Sequence, residues 1–139
     1  MSVWTHVEGC IRIESIPCMI DITNEVRDCF KSCDFDSTKD LWDNCNMPCG
    51  SEGSIQWKLW VNPDTSECTS HMITLYGDLR VYGKEQEEEI KSWWSNLLQI
   101  LSNIRGSCGV RNAVLQIVFG DCKESVVLDK SYMLEEKAE

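Results

Sequence analysis

The sequence predicts an α+β fold of the ferredoxin-like class, a split β-α-β arrangement in which a four-stranded antiparallel sheet carries two helices on one face. Three observations predict it. The hydrophobic period switches between two and about 3.6 along the chain, in the order strand, helix, strand, strand, helix, strand. The 139 residues suffice for one domain with one core, assigned to residues 1–134, with a frayed acidic tail at 135–139. No internal repeat, low-complexity stretch or second-domain boundary breaks that order.

The first strand is the cleanest. From Val3 to Ile13, Val3, Thr5, Val7, Gly9, Ile11 and Ile13 take one face, and Trp4, His6, Glu8, Cys10 and Arg12 take the other. Pro17 closes it. Asp21 to Cys33 then reads as a short helix, because Ile22, Val26, Cys29, Phe30 and Cys33 recur at three- and four-residue steps, with Thr23 or Asn24 as its cap. Asp34 to Ser54 is irregular and is expected to be a long loop with one helical turn near Leu41 and Trp42. Ile55 to Val61 alternates again, with Ile55, Trp57, Leu59 and Val61 inward. Asn62-Pro63-Asp64 makes a turn. His71 to Arg80 follows, with Ile73, Leu75, Gly77 and Leu79 inward, so these two strands form a hairpin.

Lys84 to Arg105 carries an unbroken apolar stripe of Ile90, Trp93, Trp94, Leu97, Leu98, Leu101 and Ile104 at helical spacing. Glu85, Glu87, Glu88 and Glu89 sit in its first turns, where they favour the helix dipole, and Gly106 ends it. Val110 to Gly120 is a strand apolar on both sides, which predicts partial cover on its second face. Ser125 to Leu128 is a short optional strand after a turn at Asp121 to Lys123.

Composition narrows the function. A net charge of −10 repels nucleic-acid phosphates and anionic membranes and attracts basic protein surfaces, although solubility alone also explains it. No apolar run approaches the ~18 residues needed to span a bilayer. The opening MSVWTHVEGC lacks a basic stretch followed by an apolar one, which predicts a cytoplasmic protein. Nine cysteines without a secretion signal are then expected to stay as thiols. The Cys29/Cys33 and Cys45/Cys49 spacings match structural zinc ligands, but buried or half-buried free thiols are the simpler reading. No metal or cofactor is expected.

The functional signal lies on the strand faces turned away from the helices. Trp4, His6, Glu8 and Arg12 alternate on the first strand, Lys58 and Trp60 on the second, and Tyr76, Asp78 and Arg80 on the third. In the expected topology the first and third strands are central neighbours, so these side chains share a surface that no helix covers. Three readings follow: the chain's own loop or tail folds over it, a second copy covers it, or a partner protein or small ligand binds it. Base stacking on RNA is disfavoured by the acidic charge and the missing basic motif.

Motifs for catalysis are thin. Gly50-Ser51-Glu52-Gly53-Ser54 has backbone N–H groups that can cradle an anion, but the Lys and hydroxyl residue of a phosphate-binding loop are missing, and a tight turn is favoured. Asp78 and Arg80 are expected to pair across the sheet, with Glu8 or Arg12 as partners. His6 can act as an acid or base, yet no Ser-His-Asp set, metal quartet or pair of catalytic carboxylates assembles around it. A non-enzymatic protein is expected.

Three segments resemble small proteins encoded by bacteriophages and prophages: Trp4-Thr5-His6-Val7-Glu8-Gly9 with Ile11-Arg12-Ile13, the Gly50–Ser54 turn, and Tyr76-Gly77-Asp78-Leu79-Arg80. Together these segments span roughly the first 80 residues, and the Cys-rich loop between Cys29 and Cys49 and the tail fall outside the resemblance. It implies a phage accessory protein in the host cytoplasm that binds and inhibits a host defence protein, as anti-CRISPR proteins do, or an oligomeric sponge that sequesters a nucleotide signal. The expected contacts are Trp4, His6, Arg12, Lys58, Trp60, Tyr76, Asp78 and Arg80, with the loop residues Gly50, Ser51, Glu52 and Gly53. The expected partner is a host protein, with a nucleotide ligand and self-association as the alternatives, and neither nucleic acid nor membrane is contacted directly.

Overall fold

A computed structural model describes residues 3–16, 21–31, 48–50, 53–63, 69–80, 82–104, 107–120 and 123–131. The elements run β1 (Trp4–Ser15), α1 (Ile22–Lys31), β2 (Cys49–Gly50), β3 (Gly53–Ser54), β4 (Gln56–Trp60), β5 (Thr69–Arg80), a 3-10 turn (Lys84–Gln86), α2 (Glu87–Ser102), β6 (Ser107–Phe119) and β7 (Glu124–Ser131). The main sheet has the order β4-β5-β1-β6-β7, and every neighbouring pair is antiparallel. β2 and β3 form a separate two-residue ladder, Cys49 with Ser54 and Gly50 with Gly53.

This corrects the fold expected from the sequence. The sheet has five strands, not four, and the four-stranded ferredoxin-like split β-α-β is not what the chain forms. The added strand is β7, which pairs along β6 from Phe119–Glu124 to Asn112–Ser131. Its physical cause is the width of the apolar layer. Val126 and Leu128 turn inward and pack, half-buried, against the core, so one more strand is needed to complete the inner surface. Pairing with β7 also satisfies backbone groups that β6 otherwise leaves at an open edge.

Alternation decides which face is buried. Val7, Ile11 and Ile13 of β1, Ile73, Leu75 and Leu79 of β5, and Leu115, Ile117 and Phe119 of β6 are sealed from solvent. They meet Ile22, Val26, Cys29 and Phe30 of α1 and the whole expected stripe of α2 in one core. Phe30 stacks on Trp57 with ring centroids 4.3 Å apart and planes 9° from parallel, which ties α1 to the short edge strand β4. Both helices therefore lie on one side of the sheet.

Smaller expectations shift as well. The α1 cap is Asp21, not Thr23 or Asn24: its carboxylate accepts the Asn24 backbone N–H at 3.3 Å. β4 stops at Trp60, which leaves Val61 exposed instead of inward. β5 begins at Thr69, and the helix expected from Lys84 starts as a 3-10 turn before α2. Cys33, Cys45, the turn near Leu41 and Trp42, and the tail at 135–139 lie outside the described residues. No helix among the described residues is long and apolar enough to cross a membrane.

Two irregularities in the β1–β6 ladder shape the far end of the sheet. Arg12 pairs with Asn112 but Ile13 with Val110, so Arg111 is an extra residue. A second step separates Glu14–Gly109 from Ser15–Ser107, and Gly109 meets it with φ +88°, a conformation that favours glycine.

Candidate functional site

The face opposite the helices is uncovered by any described element. The register writes it as rows crossing the sheet. Arg80 lies opposite Trp4. Asp78, His6, Val118 and Ser125 form the next row, and Gln56, Tyr76, Glu8, Gln116 and Val127 the one after. Lys58, Thr74, Cys10, Val114 and Asp129 follow, and then Trp60, Met72, Arg12 and Asn112. The sequence-derived contact residues thus share one surface. Among the described residues most of the exposed large apolar side chains gather here: Trp4, Trp60, Met72, Tyr76, Val114 and Val127. Tyr76 and Trp60 keep 53% and 52% of their surface in solvent, far more than an apolar ring needs for folding.

Three polar clusters hold this surface in place. The first joins three expected residues. His6 and Asp78 are direct cross-strand partners, and the His6 Nδ1 donates to the Asp78 carboxylate. The Tyr76 hydroxyl donates to the other Asp78 oxygen at 3.0 Å, and the His6 ring meets the Tyr76 ring edge-on with centroids 5.3 Å apart. The hydrogen bond from His6 holds the Asp78 carboxyl below the usual carboxylate range, with Tyr76 adding to it against the opposing effect of partial burial. The same bond to Asp78 pushes the Tyr76 phenol above its ordinary value. Sequence reasoning placed Glu8 or Arg12 beside Asp78; the register gives that place to His6.

The second cluster lies on the edge strand. Lys58 Nζ sits 3.9 Å from the centre of the Trp60 ring, and Trp60 Nε1 donates to Thr74 Oγ1 at 3.1 Å, which tethers the indole to β5. Arg80 lies 6.0 Å over the Trp4 ring at the opposite corner, the limit of such a contact.

The third cluster was missed from the sequence. Glu14 accepts from Arg12 at 3.1 Å, from Ser70 at 3.2 Å and from the bulged Arg111 at 2.9 Å. Arg12 also donates to Ser70 at 3.0 Å. Arg12 is therefore a neutralised, oriented side chain beside a shallow concavity of about 540 Å³ lined by Cys10, Arg12, Met72, Asn112, Val114 and Asp129. The alternation of β1 continues to Glu14, so its side of the sheet was readable; its partners were not, because Arg111 reaches it through a bulge.

Across the face, Lys58, Arg12, Arg80 and Arg111 are balanced by Glu8, Glu14, Asp78 and Asp129. The surface is near neutral on a chain of net charge −10. Chemically it offers rings, a methionine and preset hydrogen-bonding groups. His6 touches Asp78 and the Tyr76 ring, and no nucleophile is joined to it among the described residues. No cluster of three or more metal-ligating side chains occurs among the described residues, where Cys29 is a buried core thiol. The second histidine, His71, is structural. Its Nδ1 accepts the Asn62 backbone N–H at 3.1 Å, so its Nε2 carries the proton shared with Ser15 Oγ at 2.9 Å, and burial lowers its pKa. In the expected loop site, Gly50 and Gly53 pair in the small ladder, while Ser51 and Glu52 lie outside the described residues.

No protein-family model matches the chain, and neither a curated protein nor a solved structure matches it.

Proposed function

We propose that the protein is a stoichiometric binding protein whose open sheet face docks onto a partner protein. The observation that carries the reading is the concentration of exposed rings on one near-neutral, hydrogen-bonded face. Five strands ~4.8 Å apart, averaging about ten residues at ~3.3 Å, present roughly 800 Å². That matches a standard specific interface, which buries about 800 Å² on each side. Tyr76, Trp60 and Trp4 supply the aromatic anchors that dominate such contacts. His6 and Asp78 fix the Tyr76 hydroxyl before binding, which lowers the ordering cost. In line with the phage resemblance, the partner is a host defence protein and the place of action is the host cytoplasm.

A second reading has its own observation. Lys58 over Trp60, and a 540 Å³ concavity beside Arg12, offer charge and a stacking ring to a nucleotide, as a sponge requires. Affinity capture from bacterial lysate separates the two when wild type is compared with folded Tyr76→Glu and Trp60→Glu variants. A single protein held in one-to-one amount by wild type and released by both variants supports the proposal. Retention that ignores both substitutions refutes it, and a melting temperature raised by a cyclic or ADP-ribose-type nucleotide moves the sponge ahead.

A further inference from the structure

We propose that β7 is a self-pairing edge, through which two copies of the chain join their sheets into one of ten strands. The surface is the outer edge of the sheet, which shares Val127 and Asp129 with the open face but none of its rings, and the inference does not depend on the partner reading.

β7 ends the main sheet, and no described strand pairs with its outer side. Natural edges are blunted by prolines, bulges, brevity or charged side chains. β7 spans Glu124–Ser131, contains no proline and pairs with β6 without a register shift, and its charged residues stand toward its two ends, leaving Ser125–Leu128 without a charge. The opposite edge, β4, is only Gln56–Trp60.

The sequence of β7 favours its own copy as the occupant. A two-fold axis through Val127 sets residues on the same face opposite each other, as antiparallel pairing requires. Val127 then meets Val127 of the second copy, and Val126 meets Leu128. Position 124, a glutamate that already meets Lys84 of its own chain at 2.8 Å, falls opposite position 130, a lysine, twice by symmetry. Apolar meets apolar and charge meets its opposite, which counters locally the repulsion between two chains of net charge −10. Val127 is also the most exposed of the large apolar side chains described, at 59%.

The core side of the edge is shaped for the same partner. A groove of about 370 Å³ runs between α2 and β7, lined by Trp94, Leu98 and Leu128 with Lys91, Ser95 and Asp129 at its rim. In the paired arrangement Val126 of the second copy enters beside Leu128 at the mouth of this groove. The two open faces become one continuous surface with two partner sites.

Mass measurement by light scattering on the eluting full chain tests this. Wild type is expected at twice 16.0 kDa. Val127→Lys sets like charges against each other on the axis, and Val127→Glu does so with the opposite sign; both are expected to halve the mass while circular dichroism stays unchanged. Lys130→Glu is expected to halve it too, and adding Glu124→Lys to that variant to restore the dimer. A monomeric wild type overturns the inference. So does a dimer that survives both Val127 substitutions, one dissolved by Trp60→Glu but not by Val127→Lys, or a charge exchange that fails to rescue. Partner capture is read separately, so loss of the dimer and loss of the proposed function are told apart.

Discussion

Gly9 sits in the central strand β1, between β5 and β6, and has no room for a side chain. A Cβ placed there lies 2.5 Å from the Val114 carbonyl oxygen, 2.9 Å from Leu115 Cδ1 and 3.1 Å from Leu115 Cα. Leu115 Cδ1 can swing away, but the Val114 oxygen belongs to the ladder that β1 shares with β6. β1 cannot shift to relieve the clash, because its other side is paired with β5 along its whole length. Overpacking against backbone costs up to about 3 kcal/mol. The reduced freedom of the unfolded chain returns up to about 1 kcal/mol. Gly9→Ala is therefore expected to destabilise the fold by about 2 kcal/mol. For a domain of this size that is a melting temperature lower by about 8 °C. Gly77 is the internal comparison: its nearest obstacle is Ile55 Cα at 3.1 Å, so Gly77→Ala should cost less. Thermal unfolding followed by circular dichroism measures both. A Gly9→Ala melting temperature equal to wild type, or a larger loss at Gly77, refutes the packing argument and the register on which the open face depends.

Other outcomes follow from single observations. Asp21→Ala removes the acceptor for the Asn24 N–H and should cost about 1 kcal/mol in denaturant unfolding, against no loss for Thr23→Ala. Leu115→Ala empties a fully buried site facing the helices and should cost about 3 kcal/mol by the same assay. His71 has a folded-state pKa below its ordinary value, so the unfolded chain takes up the proton first as pH falls. Its contribution is complete above about pH 6.5 and is lost as pH falls from there through the folded pKa. Urea midpoints should drop on acidification from pH 7.5, taken here as about one unit above that value, and His71→Gln should flatten the drop. Asp78→Asn removes the charge that anchors both His6 and Tyr76, and should weaken partner capture while lowering the melting temperature only slightly, because the pair is exposed.

Much of the site was legible because it obeys the two-residue period of a strand. Trp4, His6 and Arg12 had to share a face, and so did Tyr76, Asp78 and Arg80. Adjacency of β1 and β5 then made one surface of them. Cross-strand pairing was less legible: His6 meets Asp78 because β1 and β5 are offset so that residue numbers of partners sum to a constant, and nothing local encodes that offset. Glu14 was passed over because its partner Arg111 is delivered by a bulge. β7 was underestimated because Val126, Val127 and Leu128 run together without alternation, and its extent is fixed by pairing with β6 instead of by its own pattern. The same underestimate produced the four-stranded expectation.

Hydroxyl-radical footprinting of the full chain reads solvent access at each ring and sulfur, and so measures the uncovered face directly. Trp4, Trp60, Met72 and Tyr76 are predicted to oxidise faster than the core residues Trp93, Trp94 and Tyr82. Equal protection of the two sets means that the sheet's second side is covered within the chain, and contradicts the account.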